Sequence, residues 1–218
     1  MSGRAPSARL FVAVDPPEQV ALELATWARL AARETRSGAR AGQQPLRVLD
    51  PELLHVTVCF LGNRAVDEIP TLAEQLAACK RPPVQLSIGA PLWLPPRRPR
   101  ALAVELHDEG GALAGIQTEV AARLEWAGRD AQPHEQAPPR SGARGGPRRF
   151  HPHITVARMR HDAGRRRRAG ASVGDGCGER TLPPTPALSL APAELVLYRS
   201  WLSPEGASYE ALSAFALG

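Results

Sequence analysis

The sequence predicts an α+β fold in which two pseudo-symmetric lobes of antiparallel sheet, each backed by helices, enclose a central cleft. The main observation is a tetrad of the form HxTx that occurs twice, at 55–58 and at 153–156. In each copy, His and Thr alternate with β-branched apolar residues, which is the pattern of a strand with one buried face. Helical and strand patterns alternate around both copies. We therefore expect one tetrad in each lobe, facing the cleft.

The first half of the chain predicts three strands and two helices. The segment after the opening apolar strand has apolar residues near helical spacing, and the second helix ends before two consecutive prolines. The predicted elements are a strand at 9–15, a helix at 18–33, a Gly-containing loop at 36–45, a short strand at 47–49, the first tetrad strand and a helix at 69–79.

The second half predicts five strands and one helix. The helix has apolar residues at Leu113, Ile116, Val120 and Leu124, which form one face. The predicted elements are strands at 84–92 and 101–106 around a Pro- and Arg-rich loop at 95–100, a helix at 110–126, the second tetrad strand, and strands at 194–200 and 209–217.

The tetrads carry the predicted chemistry. Residues two apart on a strand share a face, so His55 and Thr57 lie together, as do His153 and Thr155. Cys59 follows on the same alternation, although a small packing residue is the simpler interpretation of it. If the fold brings the two faces together, two imidazoles can divide acid and base duties while two hydroxyls bind an anion. This arrangement predicts a phosphodiester-cleaving site that needs no metal or other cofactor.

Length and composition predict one domain. A chain of 218 residues with 43% hydrophobic residues is within single-domain range and can bury a core. The three cysteines, Cys59, Cys79 and Cys177, are odd in number and scattered, which favours a reducing cytoplasm over a disulfide framework. The apolar run 10–14 is too short for a signal segment, and no apolar stretch could span a bilayer. We expect a soluble, cytoplasmic protein, taken to be a monomer.

Positive charge is concentrated in one region. The segment 131–186 contains eleven arginines and four acidic residues, a local charge of +7 in a chain of net charge +5. A polyanion would therefore be drawn toward the second tetrad. The two stretches 131–147 and 161–186 are rich in Pro, Gly and Arg, and we expect insertions that form loops or disordered segments. A solvated arginine run without a partner is the alternative for 165–168.

The quoted motifs resemble those of a known family. RLFVAVD at 9–15, LHVTVCFLG at 54–62, FHPHITVAR at 150–158 and LYRS at 197–200 are similar to the motifs of the 2H phosphoesterases, and in particular of the RNA 2′,3′-cyclic phosphodiesterases once called 2′-5′ RNA ligases. The resemblance covers about residues 8 to 130, 148 to 160 and 187 to 217. It implies the two-lobed fold and an enzyme that opens a 2′,3′-cyclic phosphate to leave a 2′-phosphate.

The resemblance also implies residue roles. His55 corresponds to the proton donor and His153 to the proton acceptor, a choice that the symmetry of the tetrads does not provide. Thr57, Thr155 and Arg158 are the candidates for binding the phosphate oxygens. Arg158 lies an odd number of residues after His153, so its participation requires the strand to end or bulge near Ala157.

Other residues are candidates for contacts with parts of the RNA outside the reacting phosphate. Phe11 and Phe150, together with Phe60, are candidates for stacking on a base, with core packing as the alternative for each. Arg98 and Arg100, with Arg97, are candidates for contacts with RNA phosphates, with an ordinary surface loop as the alternative. The expected partners are RNA with 2′,3′-cyclic phosphate ends, such as tRNA fragments, or small cyclic nucleotides.

Other functions remain open at this stage. His151 and His153 form an HxH pair that could bind zinc with His134, His161 or Cys177, although the threonines would then have no role. An RNA-binding module that uses only the basic segment is a second alternative, and it has no need for two imidazoles. The reverse reaction, which joins RNA ends through a 2′-5′ bond, would use the same residues.

Overall fold

The computed structural model describes residues 6–37, 46–96, 99–127, 150–159, 182–203 and 206–218. Within these ranges the chain forms nine strands and three α-helices. The strands are β1 Ser7–Val14, β2 Leu46–Val48, β3 Val56–Ala65, β4 Leu86–Leu94, β5 Ala101–His107, β6 His153–Met159, β7 Ser189–Leu190, β8 Glu194–Ser203 and β9 Gly206–Ala216. The helices are α1 Glu18–Ser37, α2 Ile69–Ala77 and α3 Ala112–Ala127, and a short 3₁₀ turn, Pro51–Leu53, precedes the first tetrad.

The described strands belong to one antiparallel sheet with the order β7-β4-β5-β6-β3-β1-β8-β9, and β2 pairs with β6 off this path. The two tetrad strands, β3 and β6, occupy its centre and are joined by one residue pair, Val56 with Ile154. This junction divides the sheet into two halves. The predicted α+β class is confirmed, and the two expected sheets are the halves of one continuous sheet because the tetrad strands pair directly with each other.

The helices cover one face of the sheet. Val56 and Ile154 are fully buried on that face and belong to the main hydrophobic core. Helix α1 follows β1 but packs against β2 and β6, whereas α3 packs against β3. Since apolar residues of both tetrads face the helices, the alternating His and Thr residues face away from them. None of the described helices is long and apolar enough to cross a membrane.

Both tetrads end in a bulge at the same position. Opposite β1, Val58 is the extra residue between the paired residues Thr57 and Cys59. Opposite β5, Val156 is the extra residue between Thr155 and Ala157. A bulge shifts the alternation of side chains by one residue. The side chains after each tetrad therefore lie on the opposite face from the one that a regular strand would give them.

The predicted insertions fall mostly outside the described residues. The described end of the second one, 182–186, has no regular secondary structure, and two hydrogen bonds attach it to the body of the protein. Trp27 Nε1 donates to the carbonyl oxygen of Pro183 at 3.1 Å. Thr185 Oγ1 donates to the carbonyl oxygen of Gly89 at 2.7 Å. This segment is therefore a packed loop that leads into β7.

Candidate active site

The four side chains of the two tetrads meet at the centre of the sheet. Because β3 and β6 are antiparallel, the pair Val56–Ile154 sets His55 opposite Thr155 and Thr57 opposite His153. In a regular antiparallel pair, opposite Cβ atoms are about 5 Å apart and diagonal neighbours about 7–8 Å. The two histidines thus occupy one diagonal of a four-residue arrangement, and the two threonines occupy the other.

The two histidine rings are held in the same way. His55 Nδ1 lies 2.9 Å from the carbonyl oxygen of Leu53, and His153 Nδ1 lies 2.8 Å from that of His151. A carbonyl oxygen only accepts hydrogen bonds, so Nδ1 carries the proton in both rings. The other nitrogen, Nε2, is then a proton acceptor in the neutral ring and a donor in the imidazolium. Each histidine is therefore oriented for acid or base catalysis through Nε2.

Aromatic rings surround His55. Its ring centroid lies 4.9 Å from that of Phe11 and 5.1 Å from that of Tyr209, which meets it edge to face at 88°. Burial lowers the pKa of His55, the hydrogen bond to the Leu53 carbonyl opposes this, and the charges of Arg158 and His153 lower the pKa further.

A half-buried carboxylate supports the aromatic rings around His55. Tyr198 stacks on Phe11 with their centroids 5.2 Å apart, and its hydroxyl donates to Asp15 Oδ2. Burial raises the pKa of Asp15, and burial together with the bond to Asp15 raises the pKa of Tyr198. The tyrosine therefore stays protonated and keeps Phe11 fixed beneath His55.

The bulge at Val156 decides where Arg158 lies. Val156 and Ala157 are both fully buried, although they are consecutive, so the next side chain is turned to the tetrad face. Arg158 is exposed there, and its positive charge contributes to lowering the pKa of His55. The bulge that the sequence analysis required near Ala157 is thus present. Thr57 and Thr155 are half-buried, and among the described residues neither hydroxyl has a hydrogen-bond partner.

The bulge at Val58 changes the interpretation of the residues after the first tetrad. Cys59 was expected to share a face with His55 and Thr57, which is wrong, because the extra residue turns Cys59 toward the core against which it packs. Phe60 takes the place on the tetrad face and is 70% exposed. It occupies the position in the first half of the sheet that Arg158 occupies in the second.

The other predicted RNA contacts differ in their exposure. Phe11 is only 3% exposed and has His55, Tyr198 and Tyr209 around its ring, so it supports His55 and offers no face to a base. Phe150 is half-buried against the core. Arg100 is exposed at the start of β5, and its carbonyl oxygen accepts a hydrogen bond from the amide of Met159. Arg98 lies outside the described residues.

The residues of the zinc hypothesis do not form a cluster in the described part of the chain. His151 Nδ1 lies 3.5 Å from Glu105 Oε1, and in the described ranges no three His, Cys, Asp or Glu side chains are placed to hold a metal ion. The additional ligands of that hypothesis, His134, His161 and Cys177, lie outside these ranges.

Sequence reasoning missed Tyr209 and Arg47. Tyr209 lies on the edge strand β9, and its ring reaches His55 through a tertiary contact that has no local signal. Arg47 pairs with Arg158 across β2 and β6. Its position one short strand before the first tetrad was the available signal.

Solved structures of other proteins share this fold along nearly the whole chain. TT0787 of Thermus thermophilus is 27% identical, with a TM-score of 0.65, covering 96% of this chain and 97% of that one. Escherichia coli LigT complexed with 3′-AMP is 21% identical, with a TM-score of 0.65, covering 97% and 99%. The chain has the LigT fold. A structure described as a phosphoesterase is similar to the same degree, at 22% identity, a TM-score of 0.64 and coverage of 97% and 99%.

The fold that the resemblance implied is therefore present. No protein-family model and no curated protein matches the sequence.

Proposed function

We propose that the protein hydrolyses the 2′,3′-cyclic phosphate ends of RNA to 2′-phosphomonoesters by acid–base catalysis with two histidines. The observation that carries this proposal is the diagonal placement of His55 and His153, each with Nδ1 bonded to a carbonyl oxygen and Nε2 left for proton transfer. Displacement at phosphorus proceeds with the attacking and leaving oxygens roughly in line, so a base and an acid are needed on opposite sides.

In the proposed reaction, a water molecule attacks the cyclic phosphorus while Nε2 of neutral His153 takes its proton. The bond between phosphorus and the 3′ oxygen breaks, and Nε2–H of the His55 imidazolium protonates that oxygen. The phosphate remains on the 2′ oxygen, and a proton exchange with water returns both rings to their starting states. The roles of donor and acceptor follow the family resemblance.

The reaction also requires stabilisation of the negative charge that develops on the non-bridging oxygens of the phosphate. The hydroxyls of Thr57 and Thr155 occupy the other diagonal, and Arg158 is exposed on the same face because of the bulge at Val156. Donors fixed in place before the reaction stabilise the developing charge more than they stabilise the substrate. A guanidinium adds charge-assisted hydrogen bonds to such oxygens.

The electrostatics of His55 bear on its role as the acid. In the free protein its lowered pKa favours the neutral ring. A phosphodiester anion bound next to the ring favours the imidazolium and raises the pKa again. We infer that substrate binding itself brings His55 into the protonated state that donation requires.

Recognition of RNA would use the surroundings of this centre. The exposed ring of Phe60 is the candidate for stacking on a base, and the exposed Arg100, just before β5, is a candidate for contact with an RNA phosphate. The positive charge of 131–186 favours a polyanion. LigT has been solved with 3′-AMP, with ATP and with NADP+, and these ligands are consistent with a nucleotide at this site.

The proposal is tested by incubating the purified protein, in EDTA, with a short RNA that ends in a 2′,3′-cyclic phosphate. The variants His55→Asn and His153→Asn are assayed in parallel, with His151→Asn as the matched control outside the tetrads. The terminal product is identified by its sensitivity to phosphatases and by mass.

We expect conversion to a 2′-phosphate that EDTA does not inhibit, with each tetrad variant slower by about 10²- to 10⁴-fold and the control near the wild type. A 3′-phosphate product would overturn the leaving-group assignment. Full activity in both tetrad variants would remove the two histidines from the mechanism, and loss of activity in EDTA would replace the mechanism by a metal-dependent one.

A further inference from the structure

The rings of His55, Phe11 and Tyr209 form a triangle in which each ring contacts the other two. The ring centroids are 4.9 Å apart for His55 and Phe11, and 5.1 Å apart for each of the two pairs that include Tyr209. Tyr209 meets His55 at 88° and Phe11 at 74°, which is the edge-to-face geometry that aromatic pairs favour. Among the described residues, His153 has no such ring contact. The triangle therefore distinguishes one tetrad histidine from the other.

Tyr209 reaches this triangle from the edge of the sheet. It lies on β9, three strands from β3 in the order of the sheet, and it pairs with Ser200 on β8. The residues two positions before and after it, Ala207 and Ala211, share its face of the strand. Because both are small, the ring is not enclosed by neighbours on its own strand and extends over β8 and β1 to His55.

The triangle restricts rotation of the His55 ring. A half-turn about the bond between Cβ and Cγ would place Cδ2 instead of Nδ1 at the Leu53 carbonyl, which would break the 2.9 Å hydrogen bond. It would also place Cε1 where Nε2 now lies, and a carbon atom there cannot transfer a proton. Since the packed rings have to separate for such a turn, Phe11 and Tyr209 stabilise the orientation in which Nε2 is available.

The same rings exclude water from one side of the imidazole. Burial is the largest cause of the lowered pKa of His55, and the positive charges of Arg158 and His153 on β6 act in the same direction. Phe11 is 3% exposed and Tyr209 is half-buried, so Tyr209 is the outer ring of the triangle. An imidazolium in such surroundings gives up its proton more readily than an exposed one, which suits a general acid.

We propose that Tyr209 is a positioning residue of the reaction, whose ring holds His55 in the orientation for proton transfer through Nε2 and keeps water from the aromatic side of the imidazole. The assignment rests on the proposed function, since it takes His55 as a catalytic histidine. Tyr209 acts through His55 and needs no contact with the substrate. Its contacts with His55 and Phe11 are made by the ring, so its hydroxyl is not required. The titratable groups next to the triangle on β1 and β8, Asp15 and Tyr198, are bonded to each other.

The test compares Tyr209→Ala, which removes the ring, with Tyr209→Phe, which keeps it. Trp201→Ala is the matched control, because Trp201 lies opposite Ser208 in the same hairpin, is 42% exposed and stacks on Arg199 on the other face of β8. The pKa and the tautomer of His55 are measured by NMR in the free proteins. The values of kcat and KM are measured for adenosine 2′,3′-cyclic phosphate.

In Tyr209→Ala we expect the pKa of His55 to rise toward that of an exposed histidine. We expect kcat to fall about 10- to 10²-fold, because a small misplacement of a catalytic group can cost that much, with KM little changed. Tyr209→Phe and Trp201→Ala should match the wild type. An unchanged His55 titration in Tyr209→Ala would overturn the proposal. So would a Tyr209→Phe variant as slow as Tyr209→Ala, or a rise in KM with kcat unchanged, which would make Tyr209 a substrate contact.

A measurement on the wild type covers the case in which Tyr209→Ala does not fold. Nuclear Overhauser effects between the ring protons of His55 and Tyr209 are expected in the wild type, and the corresponding effects with the new ring are expected in Tyr209→Phe. Their absence from the wild type would overturn the triangle.

The positioning role and the proposed hydrolysis fail separately, because the titration of His55 is measured without substrate. If the wild type does not hydrolyse the cyclic phosphate but the His55 titration depends on the ring of Tyr209, the effect of Tyr209 on His55 stands and the proposed hydrolysis is wrong. If hydrolysis occurs and Tyr209→Ala changes neither the titration nor kcat, the hydrolysis stands and the positioning role is wrong.

Discussion

In both His55 and His153, Nδ1 bonds to the carbonyl oxygen of the residue two positions earlier in the chain. Each acceptor belongs to the segment that leads into its tetrad strand, so the backbone that starts the strand also sets the ring. The pseudo-symmetry of the sheet thus extends to the protonation pattern of the two rings. The difference between them comes from their surroundings, since aromatic rings pack around His55.

The shared bond predicts the neutral tautomer of both rings. Because Nδ1 donates to a carbonyl oxygen, both neutral histidines should carry their proton on Nδ1. Long-range ¹H–¹⁵N correlation spectra at a pH above the titration of both rings measure this directly, with the spectra of His55→Asn and His153→Asn providing the assignments. A proton on Nε2 of either neutral ring would contradict this geometry.

Burial of His55 also predicts a pH-dependent stability. Its pKa is lower in the folded protein than in the unfolded chain, so between the two pKa values the unfolded state binds more protons. The free energy of unfolding should therefore fall as the pH drops from about 8 to about 5, and part of this loss should be absent in His55→Gln. Urea unfolding of both proteins across this range measures the difference. Parallel pH curves for wild type and variant would exclude the effect.

Residue patterns predicted the central part of the site because it is local. Each tetrad needs only strand alternation, whereas Arg158 was a candidate through the family resemblance, on the condition of a bulge, and a bulge is present at Val156. The same reasoning failed at Cys59, since regular alternation was assumed where Val58 forms a second bulge. A bulge depends on the register with neighbouring strands, which the sequence of one strand does not contain.

The surroundings of the tetrads depend on long-range packing, for which the local sequence contains no comparable signal. The apolar run around Phe11 was correctly placed on a strand, but only the contacts of Tyr198 and Tyr209 with its ring show that the ring is covered. Whether the two halves form separate sheets or one depends on the single pair Val56–Ile154. Periodicity within each half is the same in either case.

Arg158 provides a third prediction. Its replacement by alanine should lower kcat for the cyclic phosphate by about 10²- to 10³-fold, because a charged donor to the non-bridging oxygens is lost. Lysine should restore part of the activity, since it keeps the charge but not the planar fork. Loss of the Arg158 charge should also raise the pKa of His55, which NMR titration measures. An increase in KM with kcat unchanged would instead assign Arg158 to ground-state binding.

Phe60 provides the last prediction. Its ring is 70% exposed on the tetrad face, and stacking of an aromatic ring on a base is worth about 1–3 kcal/mol. Phe60→Ala should therefore raise KM for adenosine 2′,3′-cyclic phosphate by roughly tenfold, because about 1.4 kcal/mol corresponds to a factor of ten. The variant Phe60→Trp should keep the wild-type KM. As a matched control, Leu22→Ala removes a large exposed side chain from α1, on the helical side of the sheet.

Two measurements separate stacking from a structural effect of the Phe60 substitution. The free energy of unfolding should change by no more than about 0.5 kcal/mol, as expected at an exposed position. Ribose 2′,3′-cyclic phosphate, which has no base, should be hydrolysed with the same KM by wild type and Phe60→Ala. If KM for this base-free substrate rises as much as KM for the adenosine substrate, Phe60 shapes the phosphate site and the base finds its contacts elsewhere.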